Sequence, residues 1–164
     1  MWIVTDSREQ TPFTFSGPRY EGTTTSIGTL RAGDYSLTGL ESYVSVERKS
    51  LPDLVLCLGR ERARFVREMQ LAAAYDAFAV VIEATYGDLA AHKYSGQLSA
   101  HSACQSIAAF QVRYPVQFMF AGSHAGAEYA CWSFLKQYLE TAQKRLKAIV
   151  KAHAATVDAG CITI

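Results

Sequence analysis

Gly33-Asp34-Tyr35-Ser36-Leu37, followed by Val44-Ser45-Val46-Glu47-Arg48-Lys49, is the stretch whose reading decides the fold. With a turn centred between Leu40 and Glu41, Tyr35 falls opposite Val46, Leu37 opposite Val44, Ser36 opposite Ser45 and Asp34 opposite Glu47. Apolar residues then meet apolar ones and polar residues meet polar ones. A slip of one residue would send every side chain to the wrong face, so the pattern fixes the register. Lys49, two residues beyond Glu47, joins the same polar face.

Directly opposed residues have Cβ atoms about 5 Å apart, and two carboxylates at that distance repel by roughly 3 kcal/mol at an effective dielectric of about 20. Such a pair either raises one pKa or calls for a cation between its members. A hard divalent ion such as magnesium takes oxygen ligands and keeps several waters. A lysine beside it could orient or deprotonate one of those waters. This equipment suits metal-assisted hydrolysis of a phosphodiester. The alternative is an exposed hairpin of solvated charges, and the in-register grouping of polar residues weighs against it.

A chain of 164 residues suits one domain, with 49% hydrophobic residues to build its core. A net charge of +1 is far from the basic excess of many DNA-binding domains, so any grip on nucleic acid must be local. Arg60, Arg62, Arg64 and Arg67 are offset by Glu61 and Glu68, whereas Lys136, Lys144, Arg145, Lys147 and Lys151 face only Glu140. Cys57, Cys104, Cys131 and Cys161 form neither a Cys-x-x-Cys pair nor a Cys/His ligand set and read as reduced thiols. With no leader and no apolar stretch of bilayer length, a cytoplasmic protein without membrane contact is expected. It would be nucleoid-associated in a prokaryotic or viral source and nuclear in a eukaryotic one.

Outward from the hairpin, 2–5 reads as a buried strand delivering Asp6, 9–22 as a loop and 23–30 as a strand. Ser50 and Pro52 mark the start of a short helix over 51–58, broken at Gly59. A longer helix over 60–74 carries Phe65, Val66, Met69 and Ala72 or Ala73 as its apolar stripe. The run 78–82 reads as a central strand ending at Glu83, followed by a helix over 99–114 and a strand over 116–120. From 124 to 153, Trp132, Leu135, Leu139, Ala142, Leu146 and Ile149 recur at heptad spacing. A long helix packed on its own domain accounts for this, and pairing with a second copy stays open. The alternation specifies an α/β fold.

Gly33-Asp34, then Glu47-Arg48-Lys49 with three residues before Asp53, resembles the GD…ERKxxxD signature of the XPF family of structure-specific endonucleases. Asp6-Ser7-Arg8-Glu9 resembles that family's upstream DxRE. The likeness runs through Leu30-Arg31-Ala32-Gly33-Asp34-Tyr35 and the arginine-rich helix to Val80-Val81-Ile82-Glu83, most of the first 85 residues. It implies a restriction-endonuclease-like core over 1–122, a mixed sheet flanked by helices, with a C-terminal helical extension over 123–164. It also implies magnesium- or manganese-dependent cleavage of DNA at branches, flaps or single-strand junctions. By matching position, Asp34, Glu47 and Asp53 would be the central acids and Asp6 a further one. Lys49 would act on the water or the transition-state charge, and the Arg48 carbonyl would complete the metal shell.

Other readings stand beside these. Arg8 could meet a phosphate or only pair with its neighbouring acids, and Asp53 could cap a helix. Arg48, Arg64 and Arg67 are candidate DNA contacts, although paired surface charges are the ordinary case. Glu9 and Glu83 are further candidates, Glu83 because it ends a central strand. The four histidines receive no catalytic part. The tandem helix-hairpin-helix modules that family members generally append find no place after residue 123, which leaves branch selectivity open. A catalytically silent DNA-binding or scaffold subunit, or a PD-(D/E)xK nuclease without branch preference, are the competing functions.

Overall fold

A computed structural model describes residues 1–160. Six strands form one mixed sheet: β1 (Trp2–Asp6), β2 (Thr24–Gly28), β3 (Tyr35–Leu37), β4 (Val44–Lys49), β5 (Ala77–Ile82) and β6 (Val116–Phe120), in the order β2-β1-β3-β4-β5-β6. β3 runs antiparallel to both β1 and β4, whereas the pairs β1/β2, β4/β5 and β5/β6 are parallel. The Tyr35–Val46 pair stands in the register that the hydrophobic pattern required.

That register divides β4 between two layers. Val44 and Val46 face a core shared with Ile3, Tyr35, Leu37, Ala79, Val81 and the helix α5 (His124–Gly160). On the other face, α1 (Leu51–Leu58), α2 (Arg62–Ala72) and α4 (Ala100–Arg113) pack over Phe78, Val80 and Ile82. β5 is buried from both sides, which is why its sequence is an unbroken apolar run. Phe65, Met69 and Ala72 are the buried stripe of α2, while Val66 is only partly buried.

The elements differ from the sequence expectation where local chemistry is subtle. The strand expected over 23–30 ends at Gly28, and the expected loop contains a 3-10 turn over Pro18–Tyr20. The helix expected over 60–74 spans Arg62–Ala72. A short helix, α3 (Tyr86–Ala90), went unforeseen although Thr85 and Asp88 form a reciprocal cap at its start. α5 runs past the expected 153 to Gly160, and the last four residues, Cys161 among them, lie outside the described residues. Its apolar stripe is buried at Ala127, Cys131 and Leu135, but Leu146, Ile149 and Val150 stand exposed where the helix outruns the sheet. The basic cluster from Lys144 to Lys151 sits on this overhang, and α5 covers the face of the sheet opposite α1 and α2. No described helix is long and apolar enough to cross a membrane.

Candidate active site

The loop before β3 is what delivers Asp34. Gly33 has φ +81°, and a Cβ there would stand 2.1 Å from Ser45 Oγ, so only glycine allows this approach. Ser45 Oγ donates to Ala32 O at 2.8 Å and Asp34 N–H donates to Val46 O at 2.8 Å, pinning the loop against β4. Asp34 Oδ2 then accepts from Arg48 N–H at 2.7 Å. Burial pushes the Asp34 carboxyl up to about 7, and the nearby Glu47 charge pushes the same way.

Glu47 and Lys49 follow on the same face of β4, and Lys49 Nζ donates to Glu47 Oε1 at 2.5 Å. Burial would lower the Lys49 pKa, but the Glu47 charge outweighs it and the net shift is upward. A cavity of about 350 Å3 opens over this face, lined by Asp6, Arg8, Arg31, Asp34, Glu47 and Glu68 among others. A second opening brings Arg8, Glu9, Asp34, Glu47, Arg48, Lys49, Asp53 and Arg64 to one rim.

Several expected roles change with the geometry. The sequence makes Asp6 a further metal carboxylate, but both its oxygens are already occupied. Oδ1 accepts from the Arg8 N–H at 2.9 Å and Arg8 Nε at 2.7 Å, while Oδ2 accepts from Arg8 Nη2 at 3.0 Å and Leu30 N–H at 2.7 Å. The Arg8 guanidinium holds its carboxyl down to about 2. Asp6 thus aims Arg8, which also donates to Leu30 O and whose side chain remains 68% exposed. Ser50 caps α1 by accepting the Asp53 N–H on its Oγ, and that Oγ donates to Asp53 Oδ2 at 2.6 Å, so Asp53 buttresses the cap from the first turn and lines the rim at once.

The sequence offers Arg48 as a DNA contact, yet alternation turns its side chain to the α5 face. There Nε and Nη2 donate to Glu9 and Nη1 donates to Glu83 at 3.0 Å, leaving it 12% exposed. Its guanidinium is a brace between the ends of β1, β4 and β5, held well above the ordinary arginine pKa chiefly by Glu9. His124, given no part by the sequence reading, places Nδ1 2.7 Å from Glu83 Oε1. Arg64 pairs with Glu61 at 2.5 Å and Glu68 at 3.5 Å, and Arg67 is exposed on the same helix. Arg31 and Glu68 were missed as cavity residues; for Glu68, its place one residue before the buried Met69 was the available signal.

Among the described residues, no three His, Cys, Asp or Glu side chains gather closely enough to hold a metal ion by themselves. The donor set that remains is Asp34, Glu47 and one backbone carbonyl. Arg48 N–H points to Asp34, and a strand residue directs its carbonyl to the same side, whereas the Lys49 carbonyl accepts from Glu83 N–H on the β5 side. Two carboxylates and a carbonyl fit a hard cation that keeps most of its waters.

A mixed sheet with helices on both faces and acids gathered beside its antiparallel centre defines an α/β sandwich with a charged cleft. More particularly, it is an XPF-like nuclease fold. Two solved structures of XPF from Aeropyrum pernix, one of them in complex with DNA, each match with a TM-score of 0.64 and 21% identity. The matches cover 84% and 85% of this chain but 61% and 66% of those chains, so this chain spans under two thirds of their length. No family model and no curated protein matches the sequence.

Proposed function

We propose that this chain is a magnesium-dependent DNA endonuclease, with manganese able to substitute, acting on branched, flap or junction DNA of the kind met in repair and recombination. The observation that carries the reading is the Asp34–Glu47 pair, its Asp34 carboxyl raised to about 7, beside Lys49 on an XPF-like fold. When bound there, the cation would polarise a phosphoryl oxygen and acidify a coordinated water. Asp34, Glu47 and the Arg48 carbonyl would hold it. Arg8, fixed by Asp6 and exposed, presents its guanidinium to a phosphate of the same strand, and Arg64 and Arg31 extend the basic rim. Lys49 orients the attacking water or offsets charge on the phosphate as it develops. The DNA in the complex of the Aeropyrum pernix protein supports nucleic acid as the partner. The exposed Leu146, Ile149 and Val150 stripe is where a homodimer would form.

A second reading, a DNA-binding subunit that does not cut, draws on the finding that among the described residues no three His, Cys, Asp or Glu side chains gather closely enough to hold a metal ion. Labelled flap, splayed-arm, Holliday-junction and linear duplex substrates separate the two when incubated with magnesium, manganese or calcium. Cutting is expected with the first two ions and binding without cutting with calcium. Asp34→Asn should lower kcat by about a thousandfold while DNA binding stays or tightens, because an acid facing the phosphate is gone. Binding of several substrates with no cleavage under any ion establishes the silent subunit instead, and equal cutting of linear duplex removes the branch preference.

A further inference from the structure

We propose that Glu68 is a positioning residue for Lys49: when the cation of the nuclease reading engages Glu47, Lys49 transfers its ammonium from Glu47 to Glu68 and stays beside the cleft. The inference rests on that reading and extends it to a residue outside the expected acidic set.

Glu68 Oε2 is the one buried side-chain polar atom without a hydrogen-bond partner among the described residues. Native proteins rarely leave such an oxygen orphaned, since its lost hydration goes unreplaced. Its sister oxygen has Arg64 Nη1 at 3.5 Å, a loose contact on a half-exposed arginine. The orphan is not an accident of a mobile helix, because Phe65, Met69 and Ala72 anchor α2 and hold Glu68 against the cavity that Asp34 and Glu47 line. Burial and the Glu47 charge raise its pKa, while Lys49 and Arg64 act in the opposite sense, so Glu68 lies within the field of both partners of the ion pair.

Lys49 faces the complementary problem. Its side chain is 11% exposed and its ammonium is held by Glu47 at 2.5 Å, the same carboxylate the cation would need. A divalent ion on Glu47 repels the ammonium, and a buried lysine released without an anion would bear the full cost of an uncompensated charge. A lysine has a flexible four-carbon stem and three rotatable donors, so it can change partner without moving its backbone. Glu68 supplies an anionic oxygen that lacks a donor. The exchange moves no proton; one ion pair breaks and another forms.

The test uses full-length protein labelled with 15N at lysine side chains, with calcium as the probe and no DNA, the Lys49 signal being assigned by Lys49→Met. In wild type, calcium should shift the Lys49 ammonium resonance while leaving it protected from solvent exchange. In Glu68→Ala and in the isosteric Glu68→Gln, the calcium-free signal should match wild type, and calcium should then cost it its protection. With magnesium and flap DNA, both variants should lose about tenfold to hundredfold in kcat with KM unchanged. Wild type that binds calcium and cuts DNA, alongside Glu68→Gln with an unaltered calcium response and kcat, overturns the inference and leaves the nuclease reading intact. A wild type that neither responds to calcium nor cuts overturns the nuclease reading and the exchange with it.

Discussion

Strand β4 feeds two charge clusters that differ in one respect. Toward α5, Arg48 reaches Glu9 and Glu83, and His124 adds a second contact to Glu83, so each carboxylate has a cationic or hydrogen-bonding partner. Toward α1 and α2, the Lys49 ammonium is bonded to Glu47, Asp34 carries a raised pKa, and Glu68 keeps an orphan oxygen. Adjacent residues of a single strand thus enter a satisfied network and an unsatisfied one. Satisfied ion clusters hold a fold in one arrangement, whereas an excess of carboxylates in a cleft is a place for a cation or a reacting group. Asp6 shows that partners decide this rather than location, since it borders the acid-rich cavity yet is fully paired.

The most forceful way to break the comparison is Arg48→Met. Glu9 and Glu83, with side chains 4% and 16% exposed, would lose their shared guanidinium, and a buried charge stripped of its partner costs about 3–5 kcal/mol. Urea unfolding of the variant should show a destabilisation of that size, together with release of the segment that carries Glu9. A loss below about 1 kcal/mol would mean the carboxylates reach water easily and the cluster braces nothing.

Asp34→Asn and Asp6→Asn sharpen the comparison because they should act with opposite sign in metal-free protein. Asp34 has its folded pKa raised from 3.8 to about 7. Its contribution is therefore fully present below the unfolded pKa and lost as pH rises through about 7. The amide put in place of the Asp34 carboxyl carries no charge, so at pH 8 that variant should be more stable than wild type by up to about 4 kcal/mol, and the downward slope between pH 4 and 7 should flatten. Asp6 is depressed to about 2; its contribution is present above the unfolded pKa of about 4 and is lost as pH falls through about 2. Asp6→Asn should cost about 2 kcal/mol at pH 7. Denaturant midpoints over pH 2–8 decide the matter, and two variants that both destabilise at pH 8 would dissolve the distinction between the acids.

What the sequence revealed follows the same division. The register of β3 on β4 was legible because Tyr35, Leu37, Val44 and Val46 alternate with polar residues, and a pleat translates alternation directly into faces. From it came the meeting of Asp34, Glu47 and Lys49. The role of Arg48 was hidden, although the same alternation turns it to the other face, because its partners Glu9 and Glu83 lie 39 and 35 residues away. Asp6 was legible as a site residue, and its pairing with Arg8 two residues on was one of the readings offered, but the Leu30 N–H that completes its shell lies 24 residues away and was hidden. Helix α3 was missed because a five-residue helix has no usable periodicity, only the Thr85–Asp88 cap. The exposed end of α5 looked like the buried start because heptad spacing records what a helix can cover and says nothing of where the sheet beneath it stops.

His124→Ala probes the edge of the satisfied cluster and should have the smallest effect. The imidazole contacts Glu83 at 2.7 Å and meets the Phe13 ring edge-on at 5.0 Å between centroids, but it is half-exposed and Arg48 keeps its own bond to Glu83. Losing one such hydrogen bond should cost about 0.5–1 kcal/mol, with water taking the vacated position. Cleavage of a flap substrate should change by less than about threefold, because no group that the nuclease reading places in the cleft moves. If urea unfolding instead gives a loss comparable to Arg48→Met, the imidazole rather than the guanidinium anchors Glu83, and the bracing of β4 passes through the first turn of α5.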